Sequence, residues 1–331
     1  MNKMTEPNPF LQHAGIELPV VCGAMYPCSN PELVAAVSEA GGLGIIQPIS
    51  LTYVHGHDFR EGIRYMRRLT SKPLGMNALI ERSSKRYHEK MQQWVDIALE
   101  EGVRFFITSL GKPDWVVERV HAAKGYVYHD VTERKWAQKG LEANVDGFIA
   151  VNNRAGGHAG SLTAEQLYQE LTDFNRPILC AGGISTPGQF HHALQLGYQG
   201  VQMGTRFIAS RECNASDAYK NAIVAAAEQD IVLSERITGI PVSIINSPYI
   251  QRIGTKAGPI EKWLLKGNTT KHWMRTFYAL RSLHQFKKSN LDQTGKLDYW
   301  QAGKSVAGIH SILPVADILH GFKHQLAMTK T

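Results

Sequence analysis

Eight short apolar segments alternate with amphipathic stretches between residues 19 and 203. This alternation predicts an α/β fold, a (β/α)8 TIM barrel with an inserted, mostly helical subdomain after strand 8. Strict strand–helix alternation demands parallel pairing with right-handed crossovers, which leaves an open doubly wound sheet or a closed barrel; the count of eight favours closure. The segments end in small or polar residues: Gly23, Asn77, His129, the loop to His158, Gly182-Gly183 and Gly204-Thr205. A barrel gathers all such ends on one face. After Arg206 the alternation lapses. The expected division is therefore 1–205 for the barrel strands, 206–299 for the inserted subdomain covering the site, and 300–331 for a C-terminal helical segment completing the barrel.

The elements follow in order. After a short leader, residues 19–23 form the first strand; Ser29 or Asn30 caps a helix over 32–40, with Pro31 where its missing N–H costs nothing, and Gly41-Gly42 stops it. Strand two is 43–46, a helix covers 58–69, and strand three is 73–79. Met91, Trp94, Val95 and Ala98 line one face of a helix over 87–101. Strands four to six are 103–108, 126–129 and 148–151, separated by helices over 113–123 and 133–140. Thr163, followed by Glu165-Gln166, opens the next helix, and strand seven is 177–181. Thr186-Pro187 starts a helix through Leu196, and strand eight is 200–203. Beyond it, 217–229 reads as helix, 231–245 is apolar and β-branched, and 261–288 reads as helices carrying Trp263, Trp273, Phe277 and Tyr278. A last helix starts near Ile312.

Composition narrows the function classes. In 331 residues, 43% hydrophobic and 20% charged, no apolar run is long enough to cross a bilayer. Residues 1–10 contain Lys3 but no apolar stretch, so no secretory signal is expected and a cytoplasmic location follows by default. Cys22, Cys28, Cys180 and Cys213 are scattered without metal-ligand spacing, which points to reduced, structural thiols and no metal. The net charge of +7 is local, because residues 252–288 hold nine Lys/Arg against the single acid Glu261. No nucleic-acid motif accompanies that stretch, and a solvated helical face explains it as simply as an acidic partner does.

Two places carry chemistry. An apolar run at 148–151 empties into Gly156-Gly157-His158-Ala159-Gly160, either a tight turn with an incidental histidine or a ligand loop with a proton-transfer group. Ala181-Gly182-Gly183-Ile184-Ser185 and Gln202-Met203-Gly204-Thr205-Arg206 follow strands seven and eight, where barrels often bind phosphate.

Gly23-Ala24-Met25, Ala40 to Gly44, Ala155 to Gly160, Ala181 to Ile184 and Gly200 to Phe207 together resemble the nitronate monooxygenase family, formerly called 2-nitropropane dioxygenases, in family order over most of the chain. The resemblance implies an FMN-binding TIM barrel with a smaller inserted domain. It implies a flavin held by Gly23, Ala24, Met25, Asn77, His129, Gly156, Gly157, Gly182, Gly183, Gln202, Met203, Gly204 and Thr205, with Gly183 and residues 202–205 around its phosphate. His158 matches the family's active-site histidine. The implied reaction passes an electron from an alkyl nitronate to FMN, and oxygen completes conversion to a carbonyl compound and nitrite; neutral nitroalkanes additionally need a base, for which His158 is the candidate. His158 could instead act electrostatically on the nitro oxygens.

The chain departs from family relatives at Val151, Arg154 and His129-Asp130, all beside the implied flavin. Related barrels serve as NAD(P)H-dependent flavin reductases of the enoyl-ACP or quinone type, the alternative function; in it, residues 252–288 could receive an acyl carrier protein. A flavin-binding module without turnover is the third reading, opposed by His158 at a strand end.

Overall fold

Apolar strand residues flanked by capped helices build a closed wall in the computed structural model, which describes residues 8–81, 84–236, 241–256 and 298–328. The strands are β1 (Val20–Cys22), β2 (Leu43–Ile46), β3 (Leu74–Leu79), β4 (Phe105–Ser109), β5 (Tyr126–Val131), β6 (Gly147–Val151), β7 (Ile178–Ala181) and β8 (Gly200–Met203). Neighbours pair in sequence order, and β1 closes on β8 in parallel register, Val20 opposite Val201 and Cys22 opposite Met203. The expected eight-stranded barrel is the observed one.

Alternation along each strand separates two cores. Val21, Leu43, Ile45, Phe105, Ile107, Tyr128, Ile149 and Leu179 fill the barrel interior, whereas Val20, Cys22, Met76, Phe106, Val127, Phe148, Cys180 and Val201 face the helices. Those helices are α2 (Pro31–Glu39), α3 (Phe59–Leu69), α4 (Lys85–Glu100), α5 (Asp114–Ala122), α6 (Arg134–Glu142), α7 (Ala164–Leu171) and α8 (Pro187–Gln195). Thr163 and Thr186 start α7 and α8 through reciprocal capping boxes with Gln166 and Gln189. The helix α12 (Val315–Met328) packs Phe322 on Phe190 of α8 at 5.3 Å and brings Leu319 against the β2 approach at Gly42.

The segment expected as a leader contains a helix, α1 (Pro9–Ala14), capped by Asn8, whose side-chain oxygen accepts from the Phe10 and Leu11 amides. Phe10 plugs the N-terminal end of the barrel, its ring 5.7 Å from Phe105 and 5.8 Å from Tyr128. Its complete burial contributes on the order of 2 kcal/mol.

After β8 come α9 (Thr205–Ile208), α10 (Asp217–Ala225), an antiparallel ribbon of β9 (Ile231–Ser234) and β10 (Val242–Ile245), and α11 (Pro248–Ile253). The apolar stretch 231–245 is thus a β-ribbon, as its β-branched content allows. The helices expected over 261–288 lie outside the described residues. Among the described residues no helix is long and apolar enough to cross a membrane.

Candidate active site

Parallel closure puts all C-terminal strand ends on one face, the mouth. Extending the inward parity of Val21, Tyr128, Ile149 and Leu179 by two residues places Gly23, Asp130, Val151 and Ala181 in the uppermost interior layer. The same parity turns Asn77 and Gln202 inward. Gln202 lies against Gly23, where a methyl group would meet its side chain at 3.0 Å. Two buried acceptors in this layer, Asp130 Oδ1 and Gln202 Oε1, have no hydrogen-bond partner among the described residues.

The loop after β6 is organised by Asn152, which is wholly buried. Its amide donates to the Gly182 carbonyl at 3.0 Å, its side-chain oxygen accepts from the Arg154 amide at 2.8 Å, and its carbonyl accepts from Gly160 at 3.2 Å. One side chain therefore ties the loops after β6 and β7 together. Gly156 touches the backbone of Ala302 and Gly303 so closely that a Cβ would stand 2.9 Å from the Gly303 nitrogen. Gly157 exchanges backbone hydrogen bonds with Ser243 of β10, which joins the histidine loop to the inserted ribbon. His158 stands in this anchored loop with its ring exposed. It keeps water contact, yet the surrounding walls displace enough solvent to lower its pKa.

At the ends of β7 and β8, Gly182 and Gly183 hold φ of 117° and 80°, a backbone other residues reach only with strain. A Cβ at Gly183 would meet the Arg154 Nε at 2.7 Å. Thr205 Oγ1 accepts from the Gly303 amide at 3.0 Å, and Ser185 Oγ donates to the Ser305 carbonyl at 2.7 Å. Gly204 packs on the Met25 sulfur, 3.2 Å from where its Cβ would lie. Loops from β1, β6, β7 and β8 and the 301–305 segment thus converge.

Outside this convergence sits a charge cluster. Arg154 grips Glu228 in a bidentate pair at 2.8 and 2.7 Å, with the Lys304 ammonium 3.7 Å from the same carboxylate. Arg154 holds the Glu228 carboxyl below its ordinary range.

The structure brings together most residues singled out from the sequence: Gly23, Met25, Gly156, Gly157, Gly182, Gly183, Gln202, Gly204 and Thr205 share these contacts. Ala24 borders the interior core and Asn77 donates to the Ile107 carbonyl at 3.4 Å. Two of the residues singled out turn their side chains away from the mouth. His129 faces outward, its Nδ1 2.9 Å from the Thr108 hydroxyl and its ring against Gly140 of α6, because strand parity puts it opposite Tyr128. Burial there lowers its pKa to about 4. Met203 likewise sends its side chain into the helical layer and offers the mouth only backbone, its carbonyl accepting from Gly23 at 3.0 Å. The β5 side chain at the mouth is Asp130, whose carboxyl burial pushes up to about 7. Asp130 enters the sequence reading only as half of the His129-Asp130 departure and Asn152 not at all, although each follows an inward-facing strand position by one or two residues.

Comparison with known proteins accords with this geometry. The nitronate monooxygenase family profile matches residues 8–322. A probable nitronate monooxygenase from Staphylococcus saprophyticus is 29% identical over 298 residues, covering 77% of this chain and 83% of that protein. A (3aS,4S,5R,7aS)-5-hydroxy-7a-methyl-1-oxo-octahydro-1H-indene-4-carboxyl-CoA dehydrogenase from Rhodococcus jostii is 28% identical over 240 residues, covering 72% of this chain and 65% of its own length. Among solved structures, FabK from Thermotoga maritima superposes with a TM-score of 0.77 at 26% identity over 98% of both chains. A glycine–histidine loop anchored at the mouth of a closed barrel, and a family match that runs from α1 into α12, place this chain in the nitronate monooxygenase family, among its oxidoreductases.

Proposed function

We propose that this chain binds FMN at the barrel mouth and oxidises alkyl nitronates with oxygen to a carbonyl compound and nitrite, and that His158 extends the reaction to neutral nitroalkanes. The observation that carries the proposal is the His158 loop itself, pinned to β7 through Asn152 and to the ribbon through Gly157, with an imidazole kept neutral at neutral pH. A neutral ring accepts a proton from the carbon beside a nitro group; a charged one cannot.

The residues present fit a flavin. The unpartnered Gln202 Oε1 and Asp130 Oδ1 are buried polar atoms, in a layer too polar to be ordinary core, whose hydrogen bonds a flavin would complete. Gly23, Ala24, Met25, Asn77, Gly156, Gly157 and Gln202 would border the ring; Gly182, Gly183, the Met203 backbone, Gly204 and Thr205 would hold the phosphate. When bound, FMN supplies the electron acceptor, and the chain supplies position and electrostatics. The four thiols, all free and buried, go with the cytoplasmic location expected from the sequence.

A reduced-nicotinamide-dependent flavin reductase is the second reading, favoured by the full-length likeness to FabK and by a carboxyl-CoA dehydrogenase among the relatives. The basic stretch offered to an acyl carrier protein under that reading lies mostly outside the described residues. Anaerobic mixing separates the two. Bleaching of the yellow protein by propionate 3-nitronate supports nitronate oxidation, bleaching only by NADH or NADPH supports the reductase, and a protein bleached by neither refutes both.

A further inference from the structure

Asp130 is an acid at the mouth to which the proposed reaction gives no chemical role. It ends the inward face of β5, directly above Tyr128 and beside Ile149 of β6 in strand register. Its Oδ1 is buried and without a hydrogen-bond partner among the described residues, as is Gln202 Oε1 from β8. A buried carboxyl oxygen without a hydrogen-bond partner is costly, most of all when the group is charged. Such a group persists where something else completes the site.

We propose that Asp130 is a proton-carrying contact of the cofactor site: as a neutral acid it donates a hydrogen bond to the bound flavin, and on ionising it withdraws that bond and sets a negative charge beside the ring. This rests on the flavin reading above. The environment supports it, because burial alone raises the carboxyl to about 7 and no charged neighbour contributes. The titratable groups on the elements around it are few. His129 is on the same strand but faces Thr108 and α6; Tyr128 lies one layer deeper, its phenol pushed up by burial; His158 belongs to the loop after β6. The inward positions at the mouth ends of the flanking strands β4 and β6 are Ser109 and Val151, and those on β3 and β8 further round the barrel are Asn77 and Gln202; none carries a charge. A ring seated over the carboxyl removes more water from it, so flavin binding raises its pKa further and takes up a proton above neutrality.

The test is a pH titration of the visible flavin spectrum of the FMN-loaded full-length protein, from about pH 5.5 to about 9. The wild type is expected to show a one-proton step with its midpoint at or above about 7. Asp130→Asn should retain FMN and lose the step, while His158→Asn should keep it. A second variant, Asp130→Val, gives the same readout if the amide disturbs the mouth. Calorimetric FMN binding in two buffers of different ionisation enthalpy should show proton uptake by the wild type that both Asp130 variants lack. A flavin-loaded wild type with no step, or a step that survives in the Asp130 variants, overturns the proposal while leaving the flavin reading intact. A protein that takes up no FMN overturns both.

Discussion

The two ends of the barrel are finished in opposite ways. At the N-terminal end, Phe10, Phe105 and Tyr128 interlock, the Tyr128 hydroxyl shares a hydrogen bond with His13 Nδ1 at 3.1 Å, and His13 stacks on Tyr126 at 4.1 Å. At the C-terminal end, one layer above Tyr128, Asp130 and Gln202 hold buried acceptors with no partner among the described residues. The first end is completed by the chain; the second has polar atoms that a ligand can satisfy. On the proposed function, stability and catalysis are carried at opposite ends of the same strands, as barrel topology permits.

Mutations at the two ends should separate these roles. The largest effect belongs to the mouth: His158→Asn is expected to keep flavin and fold while lowering turnover of neutral nitroalkanes by about 10²–10⁴-fold, with preformed nitronates affected far less. Equal losses on both substrate forms would remove the base role. In the wild type, the rate on neutral nitroalkanes should fall as pH drops through the His158 pKa, which lies below the ordinary 6.5, because protonation removes the base. At the other end, Phe10→Ala should destabilise the protein by about 3–5 kcal/mol in denaturant unfolding. In protein that remains folded, it should leave the flavin spectrum unchanged.

Adjacent residues of β5 sharpen the contrast through pH. His129, facing outward, has a folded pKa lowered to about 4, so its contribution is present above the unfolded value of 6.5 and lost as pH falls toward 4. Asp130, facing the mouth, has a folded pKa raised to about 7, so its contribution is present below 3.8 and lost as pH rises toward 7. The shifts correspond to roughly 3 kcal/mol for His129 and roughly 4 kcal/mol for Asp130, and the two oppose each other between about pH 4 and 6.5. Flavin-free His129→Gln should thus gain stability on acidification relative to wild type, and Asp130→Asn should lose it. Chemical denaturation at several pH values measures both; slopes of the same sign would contradict the burial of one of the two side chains.

Strand alternation made the barrel legible, because parallel strands buried on both faces leave apolar runs that helices must separate. Gly182-Gly183 and the Gly156-Gly157-His158 loop were legible for a similar reason: their geometry depends on the residue types themselves. Side-chain direction at a strand end was not. His129 and Asp130 are adjacent, and only strand register decides which faces the mouth; the histidine drew attention by residue type and the aspartate occupied the position. The α1 plug escaped notice because a six-residue helix has too few turns to show a period. The role of Arg154 also depended on tertiary contact, since its partner Glu228 lies 74 residues away.

That Arg154–Glu228 pair yields the smallest expected effect. Both side chains are more than a third exposed, so water screens the pair and the neighbouring Lys304 despite bidentate geometry. Arg154→Ala should cost under about 1 kcal/mol of stability. Its guanidinium also leans on Gly183, within 2.7 Å of where a Cβ would stand, so its removal frees one wall of the proposed phosphate loop. FMN affinity should therefore change more than stability does, whereas Glu228→Gln, which leaves Arg154 in place and unpaired, should tighten FMN by freeing a cation beside the loop. Opposite shifts in FMN affinity from the two variants at low salt, converging as salt is raised, would locate the phosphate at Gly183; identical shifts would place it elsewhere on the mouth.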